Sequence, residues 1–352
     1  MNAEEFDFAI YGSGVDAAFL AADLMQRHQA KVVLIRDHVN DYSLPYTRHY
    51  SIGPITDLGT LALLRTGEEN WLSTYGGRNT KDTFSKVDLH LSVANIENDP
   101  LLQFVEGALI DADRNCERRV AHDEKESLLI PGVVAPNRSA YLQSLFERHS
   151  EVGIKFVDRR DLKDVKSNRT GQLSFKLDKH RCISKQVVIL DDDLIAELHA
   201  DQDSSSITIV RGTKTEIRAK KTLPSMHRIV VDSGLKIFSP AKGDTLRASI
   251  SGNIDQLHDH TNMELKNYQD MRLVAQGHYR TVETKDGTPY LAKERQARGW
   301  VFAGGGVVSP FLMTSVSDAL CATHHGEVPD YWKSHSGTVR SGFDLSPVMQ
   351  RA

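Results

Sequence analysis

The sequence predicts an α/β fold of two domains, in which a Rossmann-like dinucleotide-binding domain is interleaved with an antiparallel-sheet substrate domain. Three observations carry this expectation. Residues 7–37 read as strand, glycine turn, helix and strand. Between residues 207 and 250, ITIVRG, HRIVVDSG, LKIFSPAKG and TLRASIS are short alternating runs broken by glycine. From residue 300, WVFAGGG is an apolar strand entering a glycine turn, and SPFLMTSVSDALCA follows as a helix. Strand–turn–helix–strand units build parallel sheets, and alternating runs with turn residues between them build antiparallel ones.

Taken in order, residues 7–11 are a short buried strand. Residues 15–28 place Ala18, Leu20, Ala21, Leu24 and Met25 on one side of a helix. KVVLIRD, 31–37, is a second buried strand. A polar loop with Pro45, Gly53 and Pro54 occupies 38–56, and a helix containing Leu61, Leu63 and Leu64 follows. Residues 84–94 alternate as a half-exposed strand, and 98–125 are polar and charged. Asn137 is placed to cap a helix whose buried stripe is Ala140, Tyr141, Leu145 and Phe146, with Gly153 after its end. IKFVD, LSFKL and KQVVIL continue as strands, and 258–276 reads as one helix. The last helix takes Ser309 as its cap and Pro310 in its first turn. The expected dinucleotide domain is residues 1–80, 130–200 and 291–335; the substrate domain is 81–129 and 201–290; 336–352 is a tail.

Bulk composition narrows the partners. The 352 residues are 40% hydrophobic and 26% charged, with a net charge of -4, which gives no reason to expect nucleic acid or an anionic membrane. Cys116, Cys182 and Cys321 lie far apart and offer neither a disulfide framework nor a metal pair. MNAEEFDFAI lacks the features of a signal peptide, and no apolar run approaches about 18 residues, so a cytoplasmic protein without a membrane span is expected. HDHTN and THHGE have no metal-site spacing and are expected to be solvated, so no metal is assigned.

Gly12-Ser13-Gly14-Val15-Asp16-Ala17 fits G-x-G-x-x-A. Gly12 suits the tight turn, Gly14 a close backbone approach to a pyrophosphate, and Ala17 close helix–strand packing. The phosphates are then expected at the helix N-terminus. At the end of the second strand, a ribose-binding acid is wanted. Arg36 stands there with Asp37 beside it: Asp37 shifted by one residue, Arg36 meeting an extra phosphate as in NADP recognition, and a solvated strand-end arginine all remain open.

With its second half included, the chain resembles the D-amino acid oxidase superfamily, especially glycine oxidase and sarcosine oxidase. VVAPNRSAYLQSLFERHSEVGIKF is similar to that family's G-G-x-x-D-P stretch, helix and G-V. VVILDDDLIAEL and ITIVRG are similar to its V-V-x-A-A-G-x-W-S and P-V-R-G. IFSPAKGDTLRAS is similar to Y-x-x-P-R-x-D-G-x-L-x-x-G, and GHYRTVETKDGTPYL to G-x-R-P-x-T-x-D-G-x-P. WVFAGGGVVSPFLMTSVSDALCA looks like its final FAD-contacting strand and helix.

The resemblance implies FAD and oxidation of a C–N bond of an amine or amino acid, by hydride transfer to flavin with oxygen as acceptor. It places Arg280 on the substrate carboxylate, with Tyr279 and His278 flanking it. Gly304, Gly305 and Gly306 would lie against the flavin, and the helix carrying Ser309, Phe311, Leu312 and Met313 would aim its positive end at the ring. Val157, in the strand IKFVD, joins the expected cofactor set. Thr47-Arg48-His49 falls where some members attach FAD to histidine, and an exposed loop histidine is the alternative.

Three departures accompany the likeness. Leu190-Asp191-Asp192, followed by Asp193, replaces A-A-G, and carboxylates there would repel a pyrophosphate, bind a cation, or point to solvent at a helix N-terminus. The ribose acid is displaced. Ile237 or Phe238 stands for the family tyrosine, and Thr281 for its proline. The leading expectation is an FAD-dependent amine or amino acid oxidase, with a possible homo-oligomer as its assembly. The alternatives are a flavoprotein maturation factor oxidising a side chain of a partner protein or a carrier-bound amino acid, a non-catalytic subunit that keeps the fold without flavin, and an NADP-dependent enzyme.

Overall fold

Two eight-stranded sheets organise the chain in the computed structural model. The structure describes residues 3–36, 49–75, 83–120, 126–149, 154–168, 172–178, 180–198, 207–223, 225–239, 243–264, 271–285, 287–294, 299–322 and 330–334. The first sheet contains β1 (Glu4–Tyr11), β2 (Val32–Arg36), β6 (Ile154–Asp158), β9 (His180–Ile189), β15 (Tyr290–Glu294) and β16 (Gly299–Ala303) in the order β15-β16-β9-β1-β2-β6. All neighbours from β16 to β6 are parallel, and β15 is an antiparallel edge. A hairpin of β7 (Lys163–Ser167) and β8 (Leu173–Leu177) is added alongside β9.

Helices α1 (Val15–His28), α2 (Leu58–Tyr75) and α7 (Ser309–Ala322) pack together, with Phe8, Ile10, Val32 and Leu34 in the same core. Val33, Ile35 and Ala9 belong to a second core, which explains the unbroken apolar runs of these strands. The sequence predicts one buried stripe on α1. Instead Val15 and every residue from Ala17 to Met25 are buried, because other helices, α7 foremost, pack on α1 besides the sheet. Trp71 of α2 is the hub: it stacks on Phe19 at 4.7 Å and meets Tyr141 and Phe311. At Gly67 a Cβ would run into the Phe311 carbonyl, so only glycine allows α2 and α7 to cross this closely.

The second sheet runs β14-β10-β13-β12-β11-β3-β5-β4. Its strands are β3 (Phe84–Ser92), β4 (Glu117–Val120), β5 (Glu126–Pro136), β10 (Ile207–Leu223), β11 (Met226–Val230), β12 (Leu235–Ser239), β13 (Gly243–Ile250) and β14 (Met271–Thr284). All neighbours are antiparallel except β11 and β3. β5 crosses the expected domain boundary at residue 129 and pairs wholly within this sheet. On the outer face, Ile217, Leu235, Ile237, Leu246 and Ala248 pack with Leu257 of α6 (Ile254–Glu264).

Several elements differ from expectation. Residues 258–276 are not one helix: α6 ends at Glu264, and Met271–Ala275 pair with Glu216–Ala219 of β10, so sheet pairing overrides the local helical reading. Within 98–125 lies α3 (Asp99–Asp111), which buries Leu102, Val105 and Leu109. Its exposed Phe104 and Ile110 blur the periodicity. Helix α4 (Arg138–His149) does begin after Asn137, whose Oδ1 accepts from Ala140 N–H at 3.4 Å. Ser309 is not a cap: a single 3₁₀ turn, Gly306–Val308, precedes α7, and the Ser309 hydroxyl bonds elsewhere. No described helix is long and apolar enough to cross a membrane. The expected tail, Pro45, Gly153 and THHGE lie outside the described residues.

Trp71→Ala should lower the unfolding free energy by roughly 3–5 kcal/mol, as expected for a fully buried aromatic. Phe104→Ala, on a 61% exposed side chain, should change it by no more than about 0.5 kcal/mol. Chemical denaturation of both variants checks the hub.

Candidate active site

The parallel sheet brings the ends of β1, β9 and β16 together, and the turns that leave them meet. Gly12 leaves β1 so close to α1 that a Cβ would lie 2.6 Å from the Ala17 Cβ. Gly14 precedes α1 and makes no side-chain cap. The helix end is served instead by Asp16. Its Oδ1 accepts from Ala17 N–H at 2.9 Å, and its Oδ2 accepts from the Ser309 hydroxyl at 2.8 Å. One carboxylate therefore joins the N-terminal ends of α1 and α7, the positive ends of both helix dipoles. Arg138 of α4 donates to the Ser13 carbonyl at 3.2 Å, which adds a cation to the same turn.

The second turn comes from β16. Gly304 has φ +74°, and its N–H donates to the Val282 carbonyl of β14 at 3.2 Å. Gly306 has φ +49°, and a Cβ there would meet nothing within 4 Å. The segment from His49 to Gly53 is strapped to this turn. Tyr50 N–H donates to the Val307 carbonyl at 2.7 Å, Ser51 N–H to the Val134 carbonyl at 2.9 Å, and the Tyr50 hydroxyl meets His227 Nδ1 at 3.1 Å. His49 is thereby carried inward rather than exposed. Its Nδ1 is buried without a partner among the described residues. Burial holds the imidazole below its usual range, Lys236 and Arg138 add to this, and Asp16 opposes it.

The three aspartates after β9 divide their roles. Asp191 caps α5 (Asp192–Leu198), its Oδ1 accepting from Leu194 N–H at 2.8 Å. Asp192 points inward and accepts from the Thr281 hydroxyl at 2.9 Å. Burial pushes its carboxyl up to about 7, helped by Asp16 and Asp191, while Thr281 and the Val282 backbone resist. Asp193 ion-pairs with Arg280 at 2.7 Å, and Glu197 lies 3.9 Å from the same guanidinium. Of the outcomes open for this run, pointing to solvent at a helix N-terminus fails at Asp192, which is drawn in by β14.

Strand parity sorts the remaining residues. Tyr279 pairs with Gly212 and its ring lies over that glycine, where no Cβ would fit. Its hydroxyl hydrogen-bonds with Ser251 and Ser249, and burial pushes it up to about 12. Thr281 and Glu283 share the Tyr279 face, whereas His278 and Arg280 alternate onto the other. His278 is exposed, and Arg280 is 41% exposed beside Asp193. Counted back from Asp286-Gly287, the arginine of the family pattern falls on Thr281, one residue away. A one-residue slip reverses the face.

Across the Tyr279 face, Lys214 of β10, Ser249 of β13 and Lys236 of β12 stand side by side in register. Burial lowers both lysines; Arg138 adds to this at Lys214 while Asp193 opposes it, and Glu283 and Asp192 oppose it at Lys236. Val157 is buried beside Ile35, and Arg36 is half-buried opposite Asp158. Phe311, Leu312 and Met313 send their side chains wholly into the core, so only their backbone can face a ligand. Asp37 and Thr47 lie outside the described residues. Sequence reasoning missed Asp16, Arg138, Lys214, Lys236 and Glu283 as site residues. Asp16 alone carried a local signal, a charge inside the glycine motif.

No protein-family model and no curated protein matches the sequence. Solved structures do match along the whole chain. Glycine oxidase from Geobacillus kaustophilus is 18% identical, with 98% of each chain covered and a TM-score of 0.68. Iminodiacetate oxidase from Chelativorans sp. BNC1 is 13% identical, covering 94% of this chain and 98% of its own, with a TM-score of 0.70. L-amino acid deaminase from Proteus vulgaris is 12% identical, covering 96% and 98%, with a TM-score of 0.68. The chain has the fold of the D-amino acid oxidase superfamily that its motifs resemble.

Burial pushes the folded Asp192 carboxyl up to about 7, against 3.8 for a free one. Between these limits the folded state binds a proton that the unfolded state has lost, so stability falls as pH rises through the window. Asp192→Asn should unfold a few degrees above the parent at pH 8, with the gap narrowing toward about pH 4. Thermal unfolding across this range measures it.

Proposed function

We propose that the chain is an FAD-dependent oxidoreductase acting on the C–N bond of a small amine or amino acid, with oxygen as electron acceptor. The observation that carries this reading is the meeting of two glycine turns, Gly12–Gly14 and Gly304–Gly306, with two helix N-termini joined through Asp16 and Ser309. The substrate class is supported by relatives in fold named as glycine oxidase, iminodiacetate oxidase and L-amino acid deaminase.

The residues present fit a flavin dinucleotide, with one opposing group. Gly12 and Ala17 give the close turn, open space lies beside Gly306, and the buried Nδ1 of His49 lacks a partner that a ligand atom would supply. The opposing group is Asp16, whose carboxylate already serves both helix ends. A pyrophosphate therefore takes this place by displacing it.

In this reading the N–H groups of Ser13 and Gly14 and the first turn of α1 hold the pyrophosphate, with Arg138 beside them. Arg36, Val157 and Asp37 serve the nucleoside end, and Thr47 belongs with His49 to the cofactor set. The backbone from Ser309 through Phe311, Leu312 and Met313 turns the positive end of α7 toward the ring, along with Gly304, Gly305 and Gly306. FAD supplies the electron-accepting ring. Tyr279 and neutral His49 line the substrate side; His278 and Arg280 border it from the outer face. The second reading, a non-catalytic chain without flavin, is favoured by the same Asp16 contacts.

The purified protein, with FAD added if colourless, should show bands near about 370 and 450 nm. Glycine, sarcosine or a D-amino acid should bleach them without oxygen. A coloured protein that none of these amines bleaches counts against the substrate class; a colourless one that ignores FAD selects the second reading.

A further inference from the structure

The side chain best placed to hold a substrate's anionic group is not the arginine of the family pattern. Arg280 is engaged by Asp193 and Glu197 and stands on the face of β14 opposite to Tyr279. On the Tyr279 face the cations come from other strands. Lys214, Ser249 and Lys236 form one row across β10, β13 and β12. The two lysine Cα atoms are two strand spacings apart, about 10 Å, with the serine between them on the same face. The Tyr279 hydroxyl arrives at that same serine.

Lys236 is the member without a direct partner. The side chain is half-buried, and its ammonium makes no hydrogen bond or ion pair among the described residues. Glu283 and Asp192 act on it only through space. A half-buried lysine with no contact partner keeps its N–H donors open, and a carboxylate within reach would pair with them through charge-assisted hydrogen bonds.

Resting on the oxidoreductase reading, we infer that Lys236, with Ser249 and Tyr279 beside it, anchors the carboxylate of an amino acid substrate in place of Arg280. The geometry also selects the ligand. Glu283 shares this face, so the patch carries both signs and suits a zwitterion rather than a bare amine. Lys236 is a positioning and specificity residue here. It sets which end of the amino acid lies against sheet residues and leaves the C–N bond to face the glycine turns.

Calorimetric titration with propionate, a carboxylate without an amine, tests the anchor without turnover. The protein is used both as isolated and after FAD addition. Propionate should saturate the parent, and Lys236→Met should weaken it at least about tenfold, the size expected for one charge-assisted hydrogen bond. Lys236→Arg should keep binding within a few-fold, and Arg280→Ala within about twofold. Propylamine, lacking the carboxylate, should bind parent and Lys236→Met alike. A parent that propionate does not saturate, a Lys236→Met protein that binds it like the parent, or an Arg280→Ala protein that loses it overturns the proposal. Flavin uptake is read from the absorbance of the same samples. Its failure counts against the oxidoreductase reading alone, while dependence on Lys236 is decided separately.

Discussion

The carboxylate of Asp16 joins the N-terminal ends of α1 and α7, taking a hydrogen bond from Ala17 N–H and another from the Ser309 hydroxyl. Two helix dipoles that would otherwise point at empty space thus share one negative charge. Sheet topology makes this possible. β1 and β16 flank β9 in parallel, so both helices start from the same edge. The edge that attracts an anion from solution already holds one from the chain. The same charge adds to the burial that raises Asp192, the next carboxylate inward.

The opposing wall is held at a fixed place by the strap from His49 to Gly53. Main-chain bonds to Val307 and Val134, and the Tyr50–His227 contact, tie the glycine turn of the first sheet to strands of the second. The inner face of the second sheet is therefore presented in a defined register, and the Lys214–Ser249–Lys236 row with it. Because β14 is an edge strand, α5 can grip both of its faces through neighbouring aspartates: Asp192 takes Thr281 and Asp193 takes Arg280. The acidic run that breaks the family pattern thus braces the edge of the second sheet.

Much of the frame was legible because its signals are local. The glycine motif, α1 at Val15–His28 and α7 at Ser309–Ala322 stand where the sequence places them. The missing pieces are non-local. Met271–Ala275 became strand only through pairing with β10, and α3 hid its buried stripe behind exposed Phe104 and Ile110. The lysine row could not be read at all, since Lys214 and Lys236 are neighbours only after β13 is inserted between them. Arg280 shows the reverse hazard: the residue type matched, but strand parity turned it away from Tyr279.

FAD titration of the parent and of Asp16→Asn at neutral pH, followed by flavin absorbance and fluorescence, tests the account most directly. Asparagine keeps a partner for Ser309 and removes the charge. The account predicts that both proteins take up FAD and that Asp16→Asn binds it roughly tenfold more tightly, the order expected for one like charge withdrawn from a helix N-terminus. Equal affinities, or no uptake by either protein, would contradict it.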